Sequence, residues 1–71
     1  MEENDPKTAL GFYEEAIALD SNFSDAYYNK GMAHLRLNQL EEAIQDFSKT
    51  LQKNPTYVDA VFQRGLAYLD L

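Results

Sequence analysis

Residues 24–57 read SDAYYNKGMAHLRLNQLEEAIQDFSKTLQKNPTY. Two segments of this stretch place apolar residues three and four positions apart, which is typical of amphipathic helices, and Asn38 lies between them. Asn tolerates the left-handed backbone of a tight turn nearly as well as Gly does. The pair Asn54-Pro55 ends the second segment, because a residue before proline disfavours the helical conformation. The stretch therefore predicts one helix-turn-helix hairpin.

The pattern of this hairpin recurs on both sides at a distance of 34 residues. Adding 34 takes Ala26 to Ala60 and Gly31 to Gly65. Further pairs at this distance also match in size: Ala33 with Ala67, Leu35 with Leu69, Ala9 with Ala43, Tyr13 with Phe47, and Ile17 with Leu51. Such a period, with small residues where two helices must touch, is typical of helical hairpins that stack into an array.

The hairpin resembles the tetratricopeptide repeat, a helical repeat whose copies form a solenoid. The family pattern asks for a large residue, Gly and an aromatic on the first helix, then Ala, an aromatic and Pro. These places hold Tyr27, Gly31 and His34, then Ala43, Phe47 and Pro55. Four positions depart from the commonest residues, namely Lys30, His34, Asn38 and Thr50. None of them removes the small residues at the helix crossing.

The resemblance implies an all-α fold, a four-helix piece of an α-solenoid built from antiparallel hairpins. It covers nearly the whole chain and implies one domain, residues 1–71. That domain would hold the second helix of one repeat at 6–19, a full repeat at 24–57 and the first helix of a third repeat at 58–71. The helices themselves are predicted at 6–19, 23–37, 39–53 and 57–70.

The helix starts are predicted from capping residues. Asp5 can cap the first helix, and Pro6 suits the first helical position because its missing N–H would be unpaired there. Each of the three later starts has a side-chain acceptor followed three residues later by an acid, which predicts a capping box. The three pairs are Asn22 with Asp25, Asn38 with Glu41, and Thr56 with Asp59.

Glycine inside a helix costs about 1 kcal/mol relative to Ala, so two of them at the repeat distance predict close helix contacts. We expect Gly31 to face Ala43 and Phe47 across a close helix crossing. Gly65 should face a helix that follows the fourth one.

Composition excludes several function classes. The net charge is -6, and only six Lys and Arg are spread along the chain, so neither nucleic acid nor an anionic membrane is the expected partner. No apolar run approaches the roughly 20 residues that a membrane span needs. Residues 1–5, MEEND, are acidic rather than basic and apolar, which argues against a signal peptide. Together with the absence of Cys, this predicts a cytoplasmic location.

No catalytic, metal or cofactor site is predicted. Such sites need several converging ligands, or a nucleophile beside a base, and the chain has one His and no Cys. His34 falls on the inner face of its helix, where we expect a hydrogen bond within the hairpin. The chain is therefore expected not to be an enzyme.

The resemblance also implies a concave groove lined by the first helix of each hairpin. The predicted groove residues are Tyr28, Asn29, Met32, Leu35, Arg36, Phe62, Gln63, Leu66 and Leu69. An apolar strip with an acidic rim of Asp25, Asp59 and Asp70 would suit a protein or peptide segment with apolar anchors and Lys or Arg. The alternative for Leu35 and Leu69 is burial against neighbouring helices.

One known ligand of the family is not expected. Asn29 matches a position that grips the C-terminal carboxylate of heat-shock chaperones in some members. The Lys and Arg of that clamp have no counterpart, since Asp59 and Gln63 stand at the matching places.

The two outer helices also have faces that normally pack on a neighbouring helix. They are formed by Ala9, Tyr13 and Ala16 on the first helix and by Val61, Gly65 and Tyr68 on the fourth. These faces are the two halves of one hairpin contact, which predicts head-to-tail association into a homo-oligomer.

Two functions remain open at this point. The chain is either a non-catalytic protein-interaction module or scaffold fragment, or a purely structural segment of a longer solenoid whose ligand site lies elsewhere.

Overall fold

A computed structural model describes residues 5–71. This part of the chain contains four α-helices and no strand: α1 (Pro6–Leu19), α2 (Ser24–Arg36), α3 (Leu40–Lys53) and α4 (Val58–Asp70). The all-α prediction is confirmed, and each predicted helix agrees to within one residue at either end. Residues 1–4, part of the acidic start that argues against a signal peptide, lie outside the described residues.

The helices pack in chain order, α1 on α2, α2 on α3 and α3 on α4. The centre of the core consists of Ala43, Phe47 and Ala60, which expose none of their surface. Larger side chains pack around this centre and remain half-buried: Tyr28, Met32, Leu35, Leu51 and Tyr57. The core therefore lies where α2, α3 and α4 meet.

The close contact predicted for Gly31 is confirmed for Phe47. A Cβ atom on Gly31 would lie 2.6 Å from Phe47 Cε1, 2.8 Å from Cδ1 and 3.0 Å from Cζ. Ala43, the other expected neighbour, is fully buried in the same core. A Cβ atom on Gly65, in contrast, would meet nothing within 4 Å among the described residues.

The first helix start is also confirmed. The Asp5 carboxylate accepts the Lys7 N–H at 3.2 Å and the Thr8 hydroxyl at 2.8 Å, and Pro6 is the first residue of α1. The bond from Lys7 pairs a backbone N–H that a helix start otherwise leaves without a partner, and the Thr8 hydroxyl binds the other oxygen of the same carboxylate.

The three predicted capping boxes are wrong. The N-cap residues of α2, α3 and α4 are Phe23, Gln39 and Tyr57, each one residue later than predicted and without a side-chain cap bond. Asn22 and Thr56 belong to turns instead. Their backbone N–H groups donate to Asp20 Oδ1 at 3.0 Å and to Asn54 Oδ1 at 3.2 Å, so the turn before each helix extends one residue further than predicted.

Asn38 is not a cap because it ends the preceding helix. Its φ angle is 60°, the left-handed conformation that its place in the turn predicts. The following Gln39 N–H donates to the His34 carbonyl at 2.8 Å and closes the last turn of α2.

A polar network joins the first three helices. His34 Nδ1 on α2 donates to Asp46 Oδ2 on α3 at 2.5 Å, so the hydrogen bond expected for His34 is confirmed. Lys30 Nζ lies 3.8 Å from Asp46 Oδ1 and 3.7 Å from Glu14 Oε2 on α1. Burial raises the pKa of the Asp46 carboxyl, while the His34 hydrogen bond and the Lys30 charge act in the opposite direction. The network therefore holds a buried carboxylate between two cationic or donating groups.

The 34-residue period is visible in contacts as well as in sequence. Arg64 Nη1 donates to Ser48 Oγ at 3.1 Å, and these two positions are the 34-residue counterparts of Lys30 and Glu14. Each repeat thus places the same position of its first helix against the same position of the preceding helix.

The two interior glycines allow a matched test of the hairpin contact. Gly31→Leu should lower the free energy of unfolding by about 1 to 3 kcal/mol, because the new side chain overlaps the Phe47 ring. Gly65→Leu is the control, since open space surrounds that position and Leu favours a helix more than Gly does. Urea denaturation measures both. Equal stability of the two variants would contradict the close contact.

The polar network gives a second prediction. Asp46→Ala should destabilise the fold by about 1.5 to 3 kcal/mol, because it leaves half-buried His34 and Lys30 without their shared acceptor. Glu42→Ala removes an exposed carboxylate from the same helix and should change the stability by less than about 0.5 kcal/mol. Thermal unfolding at neutral pH compares them, and an equal loss in both variants would show that the network adds nothing.

Candidate partner-binding surface

The predicted groove residues divide into two groups in the structure. On α2, Tyr28, Met32 and Leu35 are half-buried and pack on the core. On α4, Phe62, Leu66 and Leu69 are exposed, with 62%, 42% and 83% of their surface in solvent. Leu35 is therefore partly buried against neighbouring helices, as the alternative for this residue expects, whereas Leu69 is exposed. The α4 side chains follow one another at four and three residues, which places them along one side of the helix.

An aromatic cluster supports the α2 side of this surface. The Tyr28 ring centroid lies 5.7 Å from that of Phe47 and 5.1 Å from that of Tyr57. Both pairs of rings are tilted against each other at distances that are favourable for aromatic pairs. The Tyr57 hydroxyl donates to the Asp25 carboxylate. These contacts hold Tyr28 in one orientation at the junction of α2 and α4.

Both tyrosines stay neutral at ordinary pH. Burial, the Asp25 hydrogen bond and nearby negative charges raise the pKa of Tyr57, and burial together with the charge of Asp59 raises the pKa of Tyr28. Their hydroxyls therefore remain hydrogen-bond donors.

The role of Tyr57 is not among the features predicted from the sequence. A signal was present, because Tyr57 lies 34 residues after Phe23, so an aromatic residue stands just before the first helix of both repeats. The N-cap position of α4 thus supplies a ring to the core and a hydroxyl to Asp25.

The remaining predicted groove positions are polar. Asn29 and Arg36 are exposed, and Gln63 is half-buried. Asp59 and Asp70 on α4 are exposed, while Asp25 is engaged by Tyr57. The surface on α2 and α4 can therefore offer apolar contact, amide hydrogen bonds and negative charge.

Residues 5–71 contain neither a cluster of metal ligands nor a helix that could span a membrane. No three His, Asp or Glu side chains in this range come close enough together to hold a metal ion. None of its helices combines the length and the hydrophobicity needed to cross a membrane.

The two outer faces differ from each other. Ala9, Tyr13 and Ala16 of α1 are half-buried, whereas Val61, Gly65 and Tyr68 of α4 are exposed. Phe12, the residue before Tyr13, is more exposed than Tyr13, with 65% of its surface in solvent. Phe12 was not predicted to belong to this face. A signal was present, because Phe12 stands 34 residues before Asp46, which contacts His34 on the preceding helix.

An open groove lies between α3 and α4, apart from the predicted partner groove. Its volume is about 540 Å³. The residues that line it are Ile44, Gln45, Ser48, Lys49 and Gln52 on α3 and Tyr68 on α4.

Comparison with known proteins finds relatives with the same repeat. The chain is 33% identical over 74 aligned positions to the mouse DnaJ homolog subfamily C member 7, covering 99% of the chain and 15% of that protein. It is 40% identical over 52 positions to Drosophila melanogaster FK506-binding protein 59, covering 73% of the chain and 12% of that protein. Serine/threonine-protein phosphatase T of Aspergillus oryzae is 37% identical over 60 positions, or 84% of the chain and 13% of the enzyme.

The chain thus spans about one seventh of the length of these relatives, one of which is an enzyme by name. Residues 24–57, the central hairpin with its Gly31 to Phe47 contact, match the family described as Tetratricopeptide repeat. The chain therefore belongs to the tetratricopeptide repeat family.

Proposed function

We propose that this chain is a non-catalytic protein-interaction module that binds a partner segment along α2 and α4. The observation that carries the proposal is the row of exposed apolar side chains on α4, Phe62, Leu66 and Leu69. Contiguous apolar side chains left in water are typical of interaction sites. Covering one such side chain fully stabilises a complex by about 1.5 to 3 kcal/mol.

The α2 side of the surface would complete the site. Tyr28, Met32 and Leu35 rest on the core but keep part of their surface exposed. The Met side chain adapts its shape to a ligand, and the Tyr28 ring is held in place by its two aromatic neighbours. A preorganised platform lowers the entropy lost on binding.

The partner expected from this surface is a helical or extended segment with apolar anchors and at least one Lys or Arg. Asp59 and Asp70 supply negative charge beside the apolar row, and the whole chain carries -6. Complementary charge mainly raises the rate and specificity of association. Asn29, Arg36 and Gln63 add polar groups at the edges of the site.

Relatives support an interaction role, since the repeat occupies a small part of several larger proteins with different names. A cytoplasmic location is part of the proposal, and the acidic composition without cysteine agrees with it.

A second candidate function is that of a structural segment in a longer solenoid. The half-burial of Tyr28, Met32 and Leu35 favours it, because these side chains already contribute to the core. In that case the exposed row on α4 would bind no partner peptide.

A peptide selection separates the two functions. The chain serves as bait for a displayed library of helical peptides with apolar residues at every third or fourth position and varied Lys content. We expect selected peptides to bind, and Phe62→Ala to weaken the best one by more than about 1 kcal/mol, or roughly fivefold. Titration calorimetry provides the measurement.

Leu19→Ala is the matched control, because it removes an apolar side chain from α1 that is even more exposed than Phe62. It should leave peptide binding unchanged, and circular dichroism should show the same helix content in both variants. Failure to select any peptide, or equal loss in the Leu19 variant, would favour the structural role or place the site elsewhere.

A further inference from the structure

The contact between α2 and α3 shows which side chains this fold brings together in a hairpin. The Phe47 ring lies on the backbone of Gly31, and Asp46 lies against His34 and Lys30. One helix thus contributes a gap and two polar groups, and the other contributes a ring and a carboxylate.

The outer helices carry the counterparts of these residues at a distance of 34. On α4, Arg64, Gly65 and Tyr68 stand where α2 has Lys30, Gly31 and His34. On α1, Phe12 and Tyr13 stand where α3 has Asp46 and Phe47. The bond from Arg64 to Ser48 shows that equivalent positions make equivalent contacts.

The α4 half of this second contact is open, and on α1 Phe12 is exposed whereas Tyr13 is half-buried. Among the described residues, nothing lies within 4 Å of a Cβ atom on Gly65, and 57% of the surface of Tyr68 is exposed. Tyr68 also lines the 540 Å³ groove between α3 and α4. One repeat earlier, Glu14 and His34 correspond to Ser48 and Tyr68 of this groove. Both lie close to Asp46 of α3, since His34 is hydrogen-bonded to Asp46 and the negative charge of Glu14 raises the pKa of Asp46. A helix equivalent to α3 therefore fits the groove.

We propose that α1 of a second copy of this chain binds in the groove between α3 and α4. Tyr13 of the second copy lies over Gly65, as Phe47 lies over Gly31, and its Phe12 packs against Tyr68. By the same correspondence, Phe62 stands where α2 has Tyr28, whose ring lies 5.7 Å from Phe47, so the contact borders the proposed partner site on α4.

The chemistry of the two surfaces favours this occupant. The polar pair of His34 and Asp46 is replaced by the aromatic pair of Tyr68 and Phe12, which packs without a buried charge. The Arg64 guanidinium, at the place of Lys30, can lie over the face of the Phe12 ring. The groove carries the cation Lys49, and α1 carries the exposed acid Glu15, so the charges are complementary.

The contact joins unlike surfaces, so it produces an open head-to-tail chain rather than a symmetric dimer. One helix seated on a helix pair is a small interface, below the roughly 1,200 to 2,000 Å² of a stable complex. Association is therefore expected only in concentrated solution.

Sedimentation equilibrium of the 71-residue chain over a range of concentrations tests the proposal. The average mass of the wild type should rise with concentration beyond that of a dimer. Phe12→Glu and Tyr68→Glu should each weaken association about tenfold or more, because each places a charge in the apolar contact. Both side chains are largely exposed, so circular dichroism should show an unchanged fold.

Leu19→Glu is the matched control, since it adds the same charge to α1 at a position that is 85% exposed and whose counterpart on α3, Lys53, is exposed as well. It should associate as the wild type does. A wild type that remains monomeric up to millimolar concentration, or equal loss in the Leu19 variant, would overturn the proposal.

Mixing the two defective variants gives the sharpest test. The Phe12→Glu chain keeps an intact α4 surface and the Tyr68→Glu chain keeps an intact α1 surface, so an equimolar mixture should form a heterodimer and grow no further. Each variant alone should stay monomeric at the same concentration. A mixture without heterodimers, or a Phe12→Glu variant that still dimerises by itself, would contradict head-to-tail binding.

Discussion

The contact between the Phe47 ring and the backbone of Gly31 is the constraint on which the rest of the structure depends. The ring atoms occupy the space where any other residue would place its Cβ atom, so α2 and α3 approach more closely than side chains normally allow. Tyr28 packs on Phe47 and Tyr57 packs on Tyr28. The closeness of the hairpin thus determines where α4 begins and how the aromatic residues beside the proposed partner site are oriented.

A different kind of interaction joins the helices on the other side of the hairpin. Asp46 is buried with His34 and Lys30, and Lys30 also reaches Glu14 on α1. A buried ionic group is a weak source of stability but strongly disfavours any arrangement that leaves it unpaired. We infer that this network specifies the pairing of α2 with α3. The corresponding positions on the outer helices, Phe12 and Tyr68, are aromatic and suit a contact that forms reversibly.

The chain is too short to bury all of its apolar side chains, because small domains have a large surface for their volume. The apolar residues of α2 serve the core and the surface together, whereas Phe62, Leu66 and Leu69 of α4 contribute only to the surface. In the proposed function, the first group orients the site and the second supplies most of the area that a partner covers.

The sequence by itself determined the helices, the glycine contact and the hydrogen bond of His34. These features follow from local periodicity and from the 34-residue period, which repeats the same packing requirement. Tertiary structure alone decided the N-caps of α2, α3 and α4, the bond from Tyr57 to Asp25, the exposure of Phe12 and the groove beside Tyr68. Each of these depends on which distant side chains meet, or on which of two local hydrogen bonds a turn residue makes. Spacing along the chain does not specify either choice.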